Sequence, residues 1–138
     1  MRSRLVAFAA LFGLLLAAVP LAAHHAFNAE FDQKKPVKLT GKIVGMEWIN
    51  PHSWLHISVE GPDGKATEWM VEGGSPNIML RRGFTKDSLK EGEEIVAEGY
   101  AAKNRTNRAN GSSITFKDGR RLFVGGSNPD DPGGRKNK

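Results

Sequence analysis

The 138-residue sequence contains no cysteine, one tyrosine and only four histidines. The missing cysteine excludes disulfides, thiolate metal sites and a cysteine nucleophile. Aromatic residues are sparse at 8%, whereas 16 glycines and seven prolines favour a turn-rich chain over a helical bundle. The length suits one domain and not two. Several catalytic signatures are also missing: there is no zinc-protease helix motif, nucleophile elbow, phosphate loop or dinucleotide fingerprint. Glu30, Asp32, Glu68 and Glu72 form no acid–base couple that spacing alone identifies. The expectation is a protein that is not an enzyme.

What is present begins with a leader. Arg2 and Arg4 precede an apolar run over 5–19, Pro20 interrupts it, and Leu21-Ala22-Ala23 supplies small residues for cleavage. This is the pattern of a secretory signal peptide over 1–23. The run is shorter than the roughly 20 residues a membrane span needs, and without a cysteine after it there is no lipoprotein processing. A periplasmic or secreted chain with no stable membrane insertion is expected. Loss of Arg2 and Arg4 lowers the formal charge from +5 to +3, which weakens any polyanion-binding role. Export further argues against a nucleic-acid partner.

The remainder reads as an arm over 24–35, a domain over 36–125 and a disordered tail over 126–138. The segment 125–138 has no apolar side chain except its prolines, so burial cannot offset its ordering entropy. In the domain, Val37, Leu39, Gly41 and Ile43 alternate with polar residues. The phase then shifts to Val44, Met46 and Trp48, which places a bulge at Gly45. Leu55, Ile57 and Val59 alternate in a second strand, Gly61-Pro62-Asp63-Gly64 turns the chain, and Trp69 and Val71 mark a third. Ser75-Pro76 is an N-cap and first helical residue, with Gly83 as the stop. A second short helical turn is expected over 85–89. A strand over 95–100, a polar loop over 103–112, a strand from Ile114, the Asp118-Gly119 hairpin and a return over 121–124 complete the pattern. A long bent first strand and one short helix between strands three and four predict an all-β, OB-fold-like barrel of five to six strands. Ile43, Leu55, Ile57, Val71, Ile95, Ala97 and Ile114 are its expected core.

His24-His25-Ala26-Phe27, Glu47-Trp48-Ile49-Asn50-Pro51-His52-Ser53-Trp54, Gly74-Ser75-Pro76-Asn77 and Leu80-Arg81-Arg82-Gly83-Phe84-Thr85, followed by Asn107-Arg108-Ala109-Asn110 and Asp118-Gly119-Arg120, stand in one chain. Together they resemble a domain-of-unknown-function family of small exported bacterial proteins. The resemblance covers nearly all of 24–138. It implies an exported, compact β-rich domain and carries no activity.

Two clusters of residues are candidates for binding. His24 and His25 stand at the expected cleavage point, and His52 and His56 flank the start of the second strand. Cleavage after Ala23 gives His24 a free α-amine beside its imidazole, which together chelate Cu(II). Cleavage after Ala22 places His25 third, another copper- and nickel-binding arrangement. If the second strand is regular from 52 onward, His52, Trp54 and His56 share the face opposite Leu55, Ile57 and Val59. Phe27 and Phe31 would dock the arm so that the two histidine pairs meet. The cofactor is thus unknown, with copper the candidate. The plainer alternative is a solvated His-His terminus and a turn-capping His52. Met46, Trp48, Trp69 and Met70 resemble the copper(I) site of exported OB-barrel metallochaperones, and are equally core filler. The second cluster, Trp48, Asn50, Trp54, Asn77, Arg81 and Arg82, with Trp69 as a further stacking residue and Arg105, Asn107, Arg108 and Asn110 in the same polar, basic set, suits a sugar, a peptide or another envelope ligand on the strand face that OB barrels use. Its alternative is an Arg81-Arg82 pair that only complements a helix C-terminus, with a solvated loop over 107–110. A binding or scaffold module follows, with a transition metal as the sharper ligand and a sugar or peptide as the other. Intact mass of the exported protein should show a chain starting at His24; a full-length mass in the membrane fraction would overturn the leader reading.

Overall fold

The computed structural model describes residues 26–128. A helical turn over 26–30 leads into β1 (Phe31–Glu47), followed by β2 (Trp54–Glu60), β3 (Ala66–Glu72), helix α1 (Pro76–Arg81), β4 (Glu94–Ala102), β5 (Arg108–Phe116) and β6 (Arg121–Phe123). β1 is long enough to serve two partners. Its Pro36 to Lys42 segment pairs antiparallel with β4, and its Lys42 to Glu47 segment with β2. The register slips between Ile43 and Gly45, where the change of alternation phase puts the bulge. Gly41 lies where the sheet folds over: a Cβ there would stand 2.6 Å from the Ser58 carbonyl oxygen. β2 pairs antiparallel with β3, β4 with β5, and β5 with β6. A short parallel pairing of β3 with β5, Met70 to Glu72 against Arg108 to Asn110, closes β1, β2, β3, β5 and β4 into a ring. This is an all-β, barrel-like fold with the strand order and helix position of an OB barrel.

The ring encloses the core expected from alternation. Ile43, Leu55, Ile57, Val71, Ile95, Ala97 and Ile114 are all buried, joined by Phe116, Val124 and the end-plug residues Met79, Phe84 and Leu89. Ser75 Oγ accepts from Ile78 N at the start of α1, and Pro76 needs no partner for an N–H. The helix therefore sits where it can insert Met79 into the barrel end. Gly61-Pro62-Asp63-Gly64 and Asp118-Gly119 turn the chain, with Gly64 and Gly119 at positive φ.

Four expectations need correction. The segment 24–35 is no separate arm over its described part: β1 begins at Phe31, and Phe27 and Phe31 are buried with Ala102, Trp54 and Tyr100 in a second apolar cluster. The two phenylalanines lie one helical turn apart and stack at 5.8 Å, so a turn and not an extended alternation docks them. Lys103 N donates to the Glu30 carbonyl at 2.9 Å and Lys103 Nζ to that of Asn28, tying the turn to the end of β4. Residues 85–89 form turns without helix; Thr85 N donates to Ser88 Oγ at 2.9 Å, a side-chain closure that replaces helical bonding. The expected loop over 103–112 shortens, because β5 starts at Arg108. Finally, the chain stays packed over 126–128, where Asn128 is buried and Gly126 N donates to the Gly111 carbonyl; the rest of the expected tail, 129–138, lies outside the described residues. Polar partners, described below, replace the apolar burial this segment lacks.

Truncation distinguishes the two clusters. Ile57→Ala should cost roughly 2–5 kcal/mol and Phe27→Ala about 3–5 kcal/mol in urea denaturation. A Phe27 effect below about 1 kcal/mol would mean that the turn frays independently of the barrel.

Candidate functional site

The ends of three strands meet at one side of the barrel: the start of β2, the end of β3 and the start of β5. The loop before β2 crosses this end with a cis Asn50–Pro51 bond, the helical turn over 26–30 approaches from one flank, and 125–128 from another. Between them lies a cleft of about 220 Å³, lined by Ala26, Glu30, Ile49, Asn50, His52, Trp54, Glu72, Arg108 and Ser127, among others.

Glu72 is the centre of its floor. Its side chain is buried, at 2% exposure for the residue, yet strand alternation would place a carboxylate there only with partners. Three groups approach Oε1: Asn110 Nδ2 donates at 3.1 Å, Ser127 N donates at 3.2 Å, and His52 Nδ1 stands at 3.5 Å. Asn110, fully buried, also donates from Nδ2 to Ser127 Oγ at 2.9 Å. One carboxylate oxygen thus gathers β5, the loop before β2 and the carboxy-terminal segment. The His52 contact is an approach of ring to carboxylate and not a formed hydrogen bond. With Nδ1 turned to the carboxylate, Nε2 is the nitrogen left for a ligand.

Arg108 forms the adjoining wall. Its guanidinium carbon lies 4.4 Å above the Trp54 ring, and Nη2 is 3.9 Å from Glu30 Oε2, an ion pair beyond hydrogen-bond range. Its Nε is buried and has no hydrogen-bond partner. The same side chain lines a second cleft of about 280 Å³ with Ala29, Glu30, Lys103 and Asn104.

The sequence candidates distribute unevenly over this geometry. Asn50, His52 and Trp54 line the cleft. His52 precedes β2, in the loop with the cis bond, so the regular strand face expected from 52 onward begins only at Trp54. His56 lies on that face but stands apart: Nδ1 meets Glu68 Oε1 at 2.6 Å and Nε2 meets Glu47 Oε1 at 3.0 Å. β2 is flanked there by β1 and β3, each contributing one carboxylate, and the two ring nitrogens face different ones. One cation cannot take all three groups. Trp48, Met46 and Trp69 pack against the main core, as filler does. Asn77, Arg81 and Arg82 belong to α1 and its C-cap and line none of the cleft. Arg81 Nε donates to the Asn77 carbonyl at 3.2 Å, and the Arg82 guanidinium lies so close to Gly125 that a Cβ there would stand 2.3 Å from Nη1. His24 and His25 lie outside the described residues; Ala26, next in the chain, lines the cleft.

Arg108 and Asn110, expected within the polar, basic binding set, meet here with Glu72, which spacing left unpaired, and with Ser127, which the sequence does not single out. Among the described residues no group of three or more His, Asp or Glu side chains is arranged to hold a metal ion, and no helix is long and apolar enough to cross a membrane.

The chain belongs to a family of unknown function (DUF6152), whose model matches residues 11–112. The match starts within the apolar run over 5–19 and ends within β5, so it takes in the turn over 26–30, His52, Glu72 and Arg108. No curated protein and no solved structure matches the chain.

If Glu72 holds the barrel end together, Glu72→Ala should lower stability by about 1–3 kcal/mol, since Asn110 Nδ2 and Ser127 N lose their acceptor. His56→Ala breaks only partly exposed contacts and should cost within about 1 kcal/mol. Equilibrium unfolding of both variants checks the order; the reverse order would remove Glu72 from that role.

Proposed function

We propose that this protein is an exported binding module without catalytic activity, and that it holds a transition metal ion, copper in the first place, between its amino-terminal histidines and His52. The observation that carries this reading is that Ala26 and His52 line one cleft, with His52 Nδ1 3.5 Å from buried Glu72. Cleavage after Ala23 would leave His24 as the first residue, two positions before Ala26. An α-amine, one or two amino-terminal imidazoles and His52 Nε2 then make a nitrogen donor set suited to Cu(II). In this reading Glu72 acts behind the ligand, accepting from His52 Nδ1 once the ring closes the 3.5 Å gap. His56 is outside this set, because both its nitrogens already face carboxylates.

Export is supported by the basic, apolar and small-residue order of 1–23. The absence of a nucleophile–base arrangement beside His52 supports a binding role. A sugar or peptide reading has less support. Trp54 already carries the Arg108 guanidinium on one ring face, and Trp48 is committed to the core. The cleft is also smaller than the roughly 300–1,000 Å³ typical of sites for larger organic ligands.

Calorimetric titration of Cu(II) into the chain beginning at His24 tests the proposal. Glu72→Gln should weaken binding by about tenfold or more, and His52→Ala at least as much, whereas His56→Ala should leave it unchanged. One extra residue ahead of His24 should also weaken it, by displacing the α-amine. Binding should fall as acid protonates the imidazoles. Unchanged affinity in His52→Ala would reduce the site to a bare amino-terminal chelate and overturn the role of the barrel.

A further inference from the structure

Among the described residues, the buried side-chain nitrogen and oxygen atoms without a hydrogen-bond partner are Ser53 Oγ, Arg108 Nε and Asn110 Oδ1. All three stand at the same barrel end, Ser53 on the residue before β2 and the others on the first turn of pleat in β5. Buried polar groups in folded proteins are nearly always hydrogen-bonded, so orphans gathered beside a cleft ask for a partner. Of the three, only Arg108 carries charge and lines the cleft.

The Arg108 guanidinium is prepared for a planar anion. Trp54 supports one of its faces at 4.4 Å, which holds the fork flat and in place. Its one carboxylate partner, Glu30, is distant at 3.9 Å and sits on a side chain 60% exposed, free to swing into solvent. The other carboxylate in the cleft, Glu72, is already engaged through Oε1 by Asn110, Ser127 and His52. Arg108 therefore lies between two adjoining clefts, its Nη2 meeting a carboxylate only at 3.9 Å.

We propose that Arg108 is the recognition residue for a small carboxylate-bearing molecule, which displaces Glu30 and binds in the cleft beside Trp54. Two parallel N–H···O bonds from the terminal nitrogens of the partly exposed guanidinium match the two oxygens of a carboxylate, a fit that a tetrahedral anion shares less well. The volume of about 220 Å³ limits the ligand to a few carbon atoms. The proposal shares the cleft with the metal reading but rests on a different residue, and each can fail without the other.

The probe is succinate, added to the purified protein against matched sodium chloride and compared with inorganic phosphate. The Arg108 Nε–H signal in nitrogen-resolved NMR, assigned by its loss in Arg108→Lys, should move and saturate with succinate. Arg108→Lys keeps the charge and loses the fork; it should remain folded by thermal melting, bind Cu(II) as before and weaken succinate by about tenfold or more. Glu30→Gln removes the internal competitor and should tighten succinate. No saturable shift of the Arg108 signal beyond the chloride control would overturn the proposal. So would undiminished succinate binding in Arg108→Lys, weaker binding in Glu30→Gln, or preference for phosphate over succinate.

Discussion

The barrel depends on its shortest seam. Four of the ring's five strand contacts are antiparallel pairings of five to eight residue pairs; the fifth joins β3 to β5 in parallel over Met70 to Glu72 and Arg108 to Asn110. So few ladder bonds offer little by themselves. The closure is reinforced by side chains at its end, where Asn110 reaches across to the Glu72 carboxylate. Burying that carboxylate is costly unless donors compensate it, and two neutral donors from residues far apart in the chain do so. The same bonds recruit the segment after β6, so Ser127 is ordered by an acid 55 residues before it.

Close approach of the strands around this seam explains local sequence that would otherwise look arbitrary. A Cβ on Gly99 would lie 2.0 Å from the Asn110 carbonyl oxygen, and one on Gly111 2.8 Å from Val71. β4 and β5 slip register between Glu98 and Gly99, bringing the Asn110 backbone against β4 while its side chain faces Glu72. The polar centre and the glycines beside it are thus parts of one arrangement: the glycines let the strands approach, and Asn110 and Glu72 use the approach.

This also explains which parts of the molecule are legible in the sequence. Ile43, Leu55, Ile57 and Ile114 announce themselves because strand alternation is a local signal, and Gly45, Ser75-Pro76 and Asp118-Gly119 because turn and cap chemistry is local too. The start of β5 is illegible for the opposite reason. Arg108 and Asn110 look like loop residues, and only a carboxylate 38 residues earlier makes the burial of Asn110 acceptable. Phe27 was visible as an anchor, but its partner Tyr100 lies in β4 and meets it edge-on at 6.0 Å, a contact that no local pattern encodes. In the candidate site, His52, Asn50 and Trp54 were legible as unusual residue types in a Pro-containing segment. Arg108 is legible only as one of several polar, basic residues and Glu72 only as an acid without a partner, since each is distinguished by its surroundings and not by its neighbours in sequence.

Fold closure and candidate chemistry therefore draw on the same few side chains. Glu72 offers Oε1 to the donors that hold the seam and to the His52 ring at the cleft mouth, so strengthening one set of contacts constrains the other. Arg108 shows the complementary case: the backbone of its strand completes the seam by pairing with β3, while its guanidinium makes no close bond to Glu30 and its Nε makes none at all. A residue needed only for the fold would gain from a closer acid, and Glu30, on a turn already clamped by Lys103, stays at 3.9 Å. The seam thus positions two groups at one cleft, an imidazole beside a buried carboxylate and an incompletely bonded guanidinium on a strand end. Ligand recognition requires such groups to be held in place before the ligand arrives.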